Sequence, residues 1–157
     1  MQFFDFGYSS RMSTIITITD LDEVAQKILA IAVENKKENR ATIIALSGDL
    51  GAGKTTLVQT IAKLVGISDS LQSPTFVILK NYETKHVFFK NLIHVDAYRL
   101  DSKEELLKIN WQNYAANPDN LICIEWPEQV DGLLPDDTLC VLLEHVSEQE
   151  RRINIKR

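Results

Sequence analysis

Gly48-Asp49-Leu50-Gly51-Ala52-Gly53-Lys54-Thr55 matches the pattern G-x-x-x-x-G-K-[ST] in full. Glycines let a backbone turn with positive φ and approach a phosphate with no Cβ in the way. Successive N–H groups then form an anion cradle at the start of the next helix, where the helix dipole adds positive potential. In such a loop the lysine, here Lys54, reaches the β- and γ-phosphates, and the hydroxyl that follows, here Thr55, ligates Mg²⁺. Chance places this pattern in on the order of one in two hundred chains of this length. The context makes it more specific: an apolar run at 41–46 precedes the glycines, and an amphipathic stretch at 54–65 follows them. The candidate nucleotide-binding residues are therefore Gly48, Asp49, Leu50, Gly51, Ala52, Gly53, Lys54, Thr55 and Thr56.

Outward from the loop, the unbroken apolar run 41–46 suits a strand buried on both faces of a sheet. The spacing predicts a helix over 54–65, with Gly66 as its C-cap. Upstream, residues 15–18 read as a short β-branched strand. Thr19 or Asp20 caps a helix over 21–34, and the polar stretch 35–40 connects it to the next strand. Downstream, 68–74 reads as loop, and strands at 75–82 and 86–96 form an antiparallel hairpin with its turn at 83–85. Ser102 with Glu105 reads as a capping box opening a helix over 103–109. Strands follow at 121–124, 138–146 and 153–155, and Trp126-Pro127 ends the first of them. This order implies an α/β domain, a P-loop NTPase-like three-layer sandwich with a mixed sheet. Its parallel centre holds 41–46 and 121–124, and its antiparallel strands lie toward one side.

The chain's 157 residues suit one domain, with a core large enough to need no staples. The domain is expected over 12–157. Residues 1–11 carry four aromatics but no basic or aliphatic leader region, and read as a loose extension or a misassigned start. Cys123 and Cys140 each lie in a strand-like run, which argues against a disulfide framework and for a reducing, cytoplasmic setting. No apolar run approaches the roughly 18 residues of a membrane span. A net charge of -5 disfavours nucleic-acid binding through bulk charge, so contact with RNA is expected through a partner or a local patch. Arg151, Arg152, Lys156 and Arg157 make the one basic end.

A P-loop requires a carboxylate near the end of a neighbouring strand to hold Mg²⁺ or orient water. Asp96 and Glu125 each end an apolar run, and both are candidates. Thr75, after Ser73-Pro74, could sense a γ-phosphate as switch-loop hydroxyls do. His94 and Asp96 share a strand face but have no third ligand in sequence for zinc. Trp126 reads as packing or as a stacking surface for a ligand.

Several blocks, in order, resemble the bacterial P-loop ATPase family TsaE, also called YjeE. They are 48–56, Ser73-Pro74-Thr75-Phe76, His94-Val95-Asp96-Ala97-Tyr98-Arg99, Glu104-Glu105-Leu106, Glu125-Trp126-Pro127 and Leu134-Pro135. The resemblance runs from about Thr19 onward. It implies a Mg²⁺-dependent ATPase required for N6-threonylcarbamoyladenosine at position 37 of tRNA. Such a protein works with the TsaB–TsaD pair and resets it between turnovers. Carried onto this chain, the resemblance makes Thr75 the switch threonine, and Asp96 and Glu125 the acidic residues of the metal site with Thr55. It puts Arg151 near nucleotide and Thr19 or Asp20, with Asp20 as the candidate, near the adenine end. The catalytic set is then Lys54, Thr75 and Glu125, with ATP/ADP and Mg²⁺ as cofactors. No arginine is placed as a finger, and Arg99 is the nearest in sequence. A P-loop protein without a finger in cis is slow alone and is completed by a partner. The alternatives are a small-molecule kinase, disfavoured by only six arginines, and a nucleotide-gated binding module with incidental hydrolysis. A GTPase is disfavoured because no N-K-x-D follows the loop.

Overall fold

The computed structural model describes residues 12–68, 71, 74 and 77–156. The expectations for 1–11, for Thr75 and for Arg157 lie outside the described residues.

The strands are β1 (Met12–Thr17), β2 (Thr42–Ser47), β3 (Leu79–Glu83), β4 (Asn91–Asp96), β5 (Asn120–Glu125), β6 (Leu139–His145) and β7 (Glu150–Lys156). They form one sheet in the order β1-β7-β6-β2-β5-β4-β3. Parallel pairing joins β6, β2, β5 and β4. Antiparallel strands flank this centre on both edges, β3 on one and β7 with β1 on the other. The expected parallel centre is present, but the antiparallel strands are not confined to one side. The reason is the C-terminal β6–β7 hairpin: β7 cannot reach β4, so it extends the far edge and recruits β1.

Helices α1 (Leu21–Glu34) and α2 (Lys54–Leu64) cover one face, and α3 (Lys103–Lys108) and α4 (Trp111–Ala116) the other. The buried strands alternate between these layers. Ile44 and Leu46 of β2, with Leu121 and Cys123 of β5, pack toward Ile28, Leu57 and Ile61. Ile43, Ala45, Ile122 and Ile124 pack toward Leu106, Trp111 and Val130. The helical layers thus press on both faces of the central strands and hold their carboxyl ends rigidly in line. Among the described residues no helix is long and apolar enough to cross a membrane.

Local chemistry explains where elements begin and end. Asp20 does not cap α1 directly. Its carboxylate accepts from the Thr17 N–H at 2.7 Å and the Thr17 hydroxyl at 2.8 Å, closing a 3-10 turn over Ile18–Asp20. Those bonds hold the Asp20 carboxyl below its usual range. Helix α2 ends as expected at Gly66, whose φ is +84°. The Gly66 N–H bonds Lys63 O and the Ile67 N–H bonds Ala62 O, both at 3.0 Å, forming a Schellman cap.

Two expectations differ. Ser102 makes no side-chain cap bond. Glu104 takes up the Ser102 hydroxyl as well as its own N–H, so the box with Glu105 does not form. The hairpin turn is longer than 83–85, and β4 starts only at Asn91. Val87, Phe88 and Phe89 have the composition of a strand, but Phe89 is fully buried while Val87 is 86% exposed. The Thr84 hydroxyl bonds Phe89 O, and the His86 ring stacks on the Phe89 ring at 5.6 Å. A plug residue in a loop has replaced strand pairing. Helix α4 has no counterpart in the sequence reading; it opens from Asn110 in a left-handed conformation, φ +69°.

At the opposite end of the sheet, Arg40 Nη2 donates to both oxygens of Asp137 at 2.7 and 2.6 Å, with Lys37 Nζ at 3.4 Å. Burial opposes the Asp137 charge, but Arg40 and then Lys37 outweigh it and hold its carboxyl below the usual range. The folded pKa is therefore below the unfolded one. The stabilisation is present above the unfolded pKa of about 3.9 and is lost as pH falls through the folded value. These side chains are about a third exposed, so solvent limits the effect. Asp137→Asn is expected to cost roughly 1 kcal/mol near neutral pH. In urea unfolding the difference from wild type should shrink as pH drops below about 4.

Candidate functional site: a phosphate loop at the carboxyl edge of the sheet

Four parallel strands point their carboxyl ends the same way, which is where α/β sheets bind ligands. The phosphate loop leaves β2 after Ser47 and enters α2 at Lys54. Gly48 has φ +138°, and a Cβ there would lie 2.2 Å from Leu143 O on β6. Close approach of the loop to β6 is thus what requires this glycine. Gly53 has φ +103° and open space around it, so its requirement is conformational alone. The loop is pinned by the Ala52 N–H to Asp49 O bond at 3.1 Å.

Lys54 is 4% exposed. Its Nζ donates to Gly48 O at 2.6 Å and Asp49 O at 2.9 Å, and lies 3.9 Å from the centre of the Trp126 ring. Burial lowers its pKa, opposed by the charges of Glu125, Glu128, Asp96 and Asp49. The ammonium is therefore only partly compensated by its own loop, an arrangement that favours an added anion.

Asp96 and Glu125 are register partners at the ends of β4 and β5. They are 5% and 3% exposed. The Thr55 hydroxyl lies 2.9 Å from both Glu125 oxygens. Asp96 Oδ1 accepts from the Tyr98 N–H at 3.1 Å. Adjacent buried carboxylates repel each other unless a cation or proton intervenes. Thr55, Asp96 and Glu125 offer only hard oxygen donors. Mg²⁺ takes one or two carboxylates and completes its shell with phosphate and water, so this donor set fits it.

Two sequence-distant residues reach the same end of the sheet. Ile16 pairs with Arg151 and Thr17 with Glu150, and Arg151 pairs with His145 at the carboxyl end of β6, which brings Asp20 and Arg151 to the same end of the sheet as the loop. Arg151 Nη1 donates to Ser147 O at 2.7 Å and Glu150 O at 2.8 Å, bracing the β6–β7 turn. Leu50 is exposed on the loop and Thr56 on the first turn of α2.

The structure adds residues the sequence reading did not assign. Trp126 has φ +59°, bonds Leu46 O through its N–H at 3.1 Å, and packs on Tyr98 with ring centres 5.0 Å apart. Its ring packs against the core layer of α3 and α4, as expected of packing, and also covers the Lys54 ammonium. Ile78, also left-handed at φ +66°, accepts the Asp96 N–H. Such strain in a tryptophan and a β-branched residue gathers at functional sites. His94 is fully buried, with Nε2 2.7 Å from Glu125 Oε1. The two-residue spacing from His94 to Asp96 was the available signal, but its partner is on another strand.

Comparison with known proteins finds relatives over most of the chain. The family model described as "Threonylcarbamoyl adenosine biosynthesis protein TsaE" matches residues 17–153. The chain is 35% identical over 106 residues to the tRNA threonylcarbamoyladenosine biosynthesis protein TsaE of Haemophilus influenzae, covering 68% of this chain and 65% of that one. It is 38% identical over 117 residues to the Nostoc protein of the same name, covering 73% and 69%. It is 32% identical over 112 residues to the Bacillus subtilis protein, covering 71% and 66%. The matched part thus spans about two thirds of these relatives. The crystal structure of Bacillus subtilis YdiB superposes with a TM-score of 0.62 at 23% identity, covering 93% of this chain and 84% of that one, a likeness of fold.

Proposed function

The chain belongs to the TsaE family, and from that premise we propose that it is a Mg²⁺-dependent ATPase serving the synthesis of N6-threonylcarbamoyladenosine at tRNA position 37. It acts in the cytoplasm with a TsaB–TsaD pair, supporting repeated turnover, and meets tRNA through those partners. The observation that carries the reading is Thr55 bonded to Glu125 one residue after a buried Lys54, at the mouth of the loop.

The residues would act as follows. Loop N–H groups and Lys54 bind the phosphates, with Lys54 exchanging its bonds to Gly48 O and Asp49 O for phosphate oxygens. Thr55, Asp96 and Glu125 would hold Mg²⁺, which neutralises charge on the phosphoryl oxygens when bound. Glu125 orients water for in-line attack, and Thr75 senses the γ-phosphate. Asp20 and Arg151 border the far end of the nucleotide.

The self-occupied state of Lys54 and Thr55 also favours a second reading, a nucleotide-gated docking module. Nucleotide must displace those bonds, so binding is coupled to a change in the loop. One assay separates the readings: ATP hydrolysis and complex formation, alone and with the cognate TsaB–TsaD pair. The ATPase reading expects slow turnover alone and strong stimulation in the complex. ATP-dependent docking with negligible hydrolysis would select the module. Neither docking nor stimulation would reject the partner assignment.

A further inference from the structure

Glu125 is held by two groups of different kinds. Thr55 sits at the mouth and is itself a candidate metal ligand. His94 lies beneath, on the neighbouring strand β4, and is fully buried. Its Nε2 is 2.7 Å from Glu125 Oε1. Its Nδ1 is buried and has no partner among the described residues. With Glu125 ionised, Nε2 must carry the proton, because two acceptors cannot share a hydrogen bond. Among the described residues the imidazole therefore has one polar anchor, and that anchor is Glu125. Leaving Nδ1 unsatisfied carries a desolvation cost that an apolar side chain of similar volume would avoid.

The two holds on the carboxylate respond differently to ligand. If Thr55 turns its oxygen to a metal, its bond to Glu125 is given up or shared. The His94 bond lies below the mouth, and ligand need not disturb it. Oε1 is then fixed by His94, and Oε2, which among the described residues accepts from Thr55, is the oxygen left to face a ligand.

We propose that His94 is a positioning residue that fixes Glu125 through Oε1, so that Oε2 is presented to metal or water in every state of the nucleotide cycle. This rests on the role for Glu125 proposed above.

Glutamine and asparagine divide the question. Glutamine can place an N–H near the position of Nε2; asparagine is too short to reach Glu125 and is equally polar. His94→Asn is expected to lower kcat for ATP hydrolysis in the complex about 10–100-fold, as loss of a group that orients a metal-binding carboxylate does. It should also cut about tenfold the affinity that Mg²⁺ adds for a non-hydrolysable ATP analogue. Affinity in EDTA should stay within about twofold, because the hydrogen bond His94 makes among the described residues goes to Glu125 and not to the loop or Lys54. His94→Gln should recover most of both losses. Equal losses in Gln and Asn, or none in Asn, overturn the proposal.

The wild-type protein supplies a test that no folding defect can obscure. With its three histidines ¹⁵N-labelled, the His94 Nε2–H should be visible and protected from exchange in the free protein. It should persist when the analogue and Mg²⁺ are added. Its loss on loading would overturn the proposal. If the wild type binds no analogue with or without Mg²⁺, it is the nucleotide reading that fails. If Lys54→Ala abolishes binding while His94→Asn behaves as wild type, the nucleotide reading stands and only this inference falls.

Discussion

Lys54→Ala is expected to reduce ATP hydrolysis, measured with the partner pair present, by about two to three orders of magnitude, the usual cost of deleting a preorganised electrostatic contact. The nucleotide-free fold should hardly notice. Lys54 is buried, and burial already works against its charge, so alanine removes a desolvation cost together with two hydrogen bonds. Asp49 O would still accept the Ala52 N–H, and Gly48 is only partly buried, so water can reach it. The bond lost over the Trp126 face is worth about 0.5–2 kcal/mol. These terms nearly cancel, and the melting temperature should stay within about 4 °C of wild type. Hydrolysis assays beside a thermal melt check both halves. Activity kept in the variant would mean that the loop does not hold phosphates as proposed, and a collapse of the melt would mean that Lys54 is chiefly structural.

Glu125→Gln is expected to lower hydrolysis by about two orders of magnitude or more, while nucleotide affinity in EDTA stays close to wild type. The amide preserves shape. Its oxygen can accept from His94 Nε2 or Thr55, and its nitrogen can donate to the Thr55 hydroxyl, so the mouth stays packed. What disappears is a negative charge at a point where Asp96 is the neighbouring carboxylate. The variant therefore separates charge from geometry. Titrating Mg²⁺ at fixed nucleotide should show a weakened metal response. A Mg²⁺ response and turnover equal to wild type would remove Glu125 from the site and shift the assignment to Asp96.

Much of this site could be read along the chain because its parts are local. The glycines, Lys54 and Thr55 lie within eight residues, and the match of loop pattern to flanking strand and helix is a short-range property. Asp96 and Glu125 were also legible, since each ends an apolar run and a parallel sheet must bring such ends together. The misreadings had equally physical causes. Ser102 and Glu105 had the spacing of a capping box, but Ser102 makes no side-chain cap bond, and its hydroxyl helps hold the Glu104 carboxyl low instead. Val87 to Phe89 had the composition of a strand, but only Phe89 found a buried seat. Helix α4 was missed because it is short and starts from a left-handed asparagine, a conformation that no periodicity announces.

By itself, then, the sequence determined the glycine-rich loop, the alternation of strands and helices around it, and the two carboxylates at its mouth. Each of these follows from backbone preference, hydrophobic period or a contiguous motif. Only the tertiary structure decided that antiparallel strands close both edges of the sheet, that Trp126 covers the Lys54 ammonium, and that His94 grips Glu125 from below. Those facts depend on which strands become neighbours and in what register, and register is settled by the packing of the whole core. His94 and Glu125 are 31 residues apart. They meet because β4 and β5 pair in parallel with His94 opposite Cys123, two residues before the carboxylate and on the same face of the sheet.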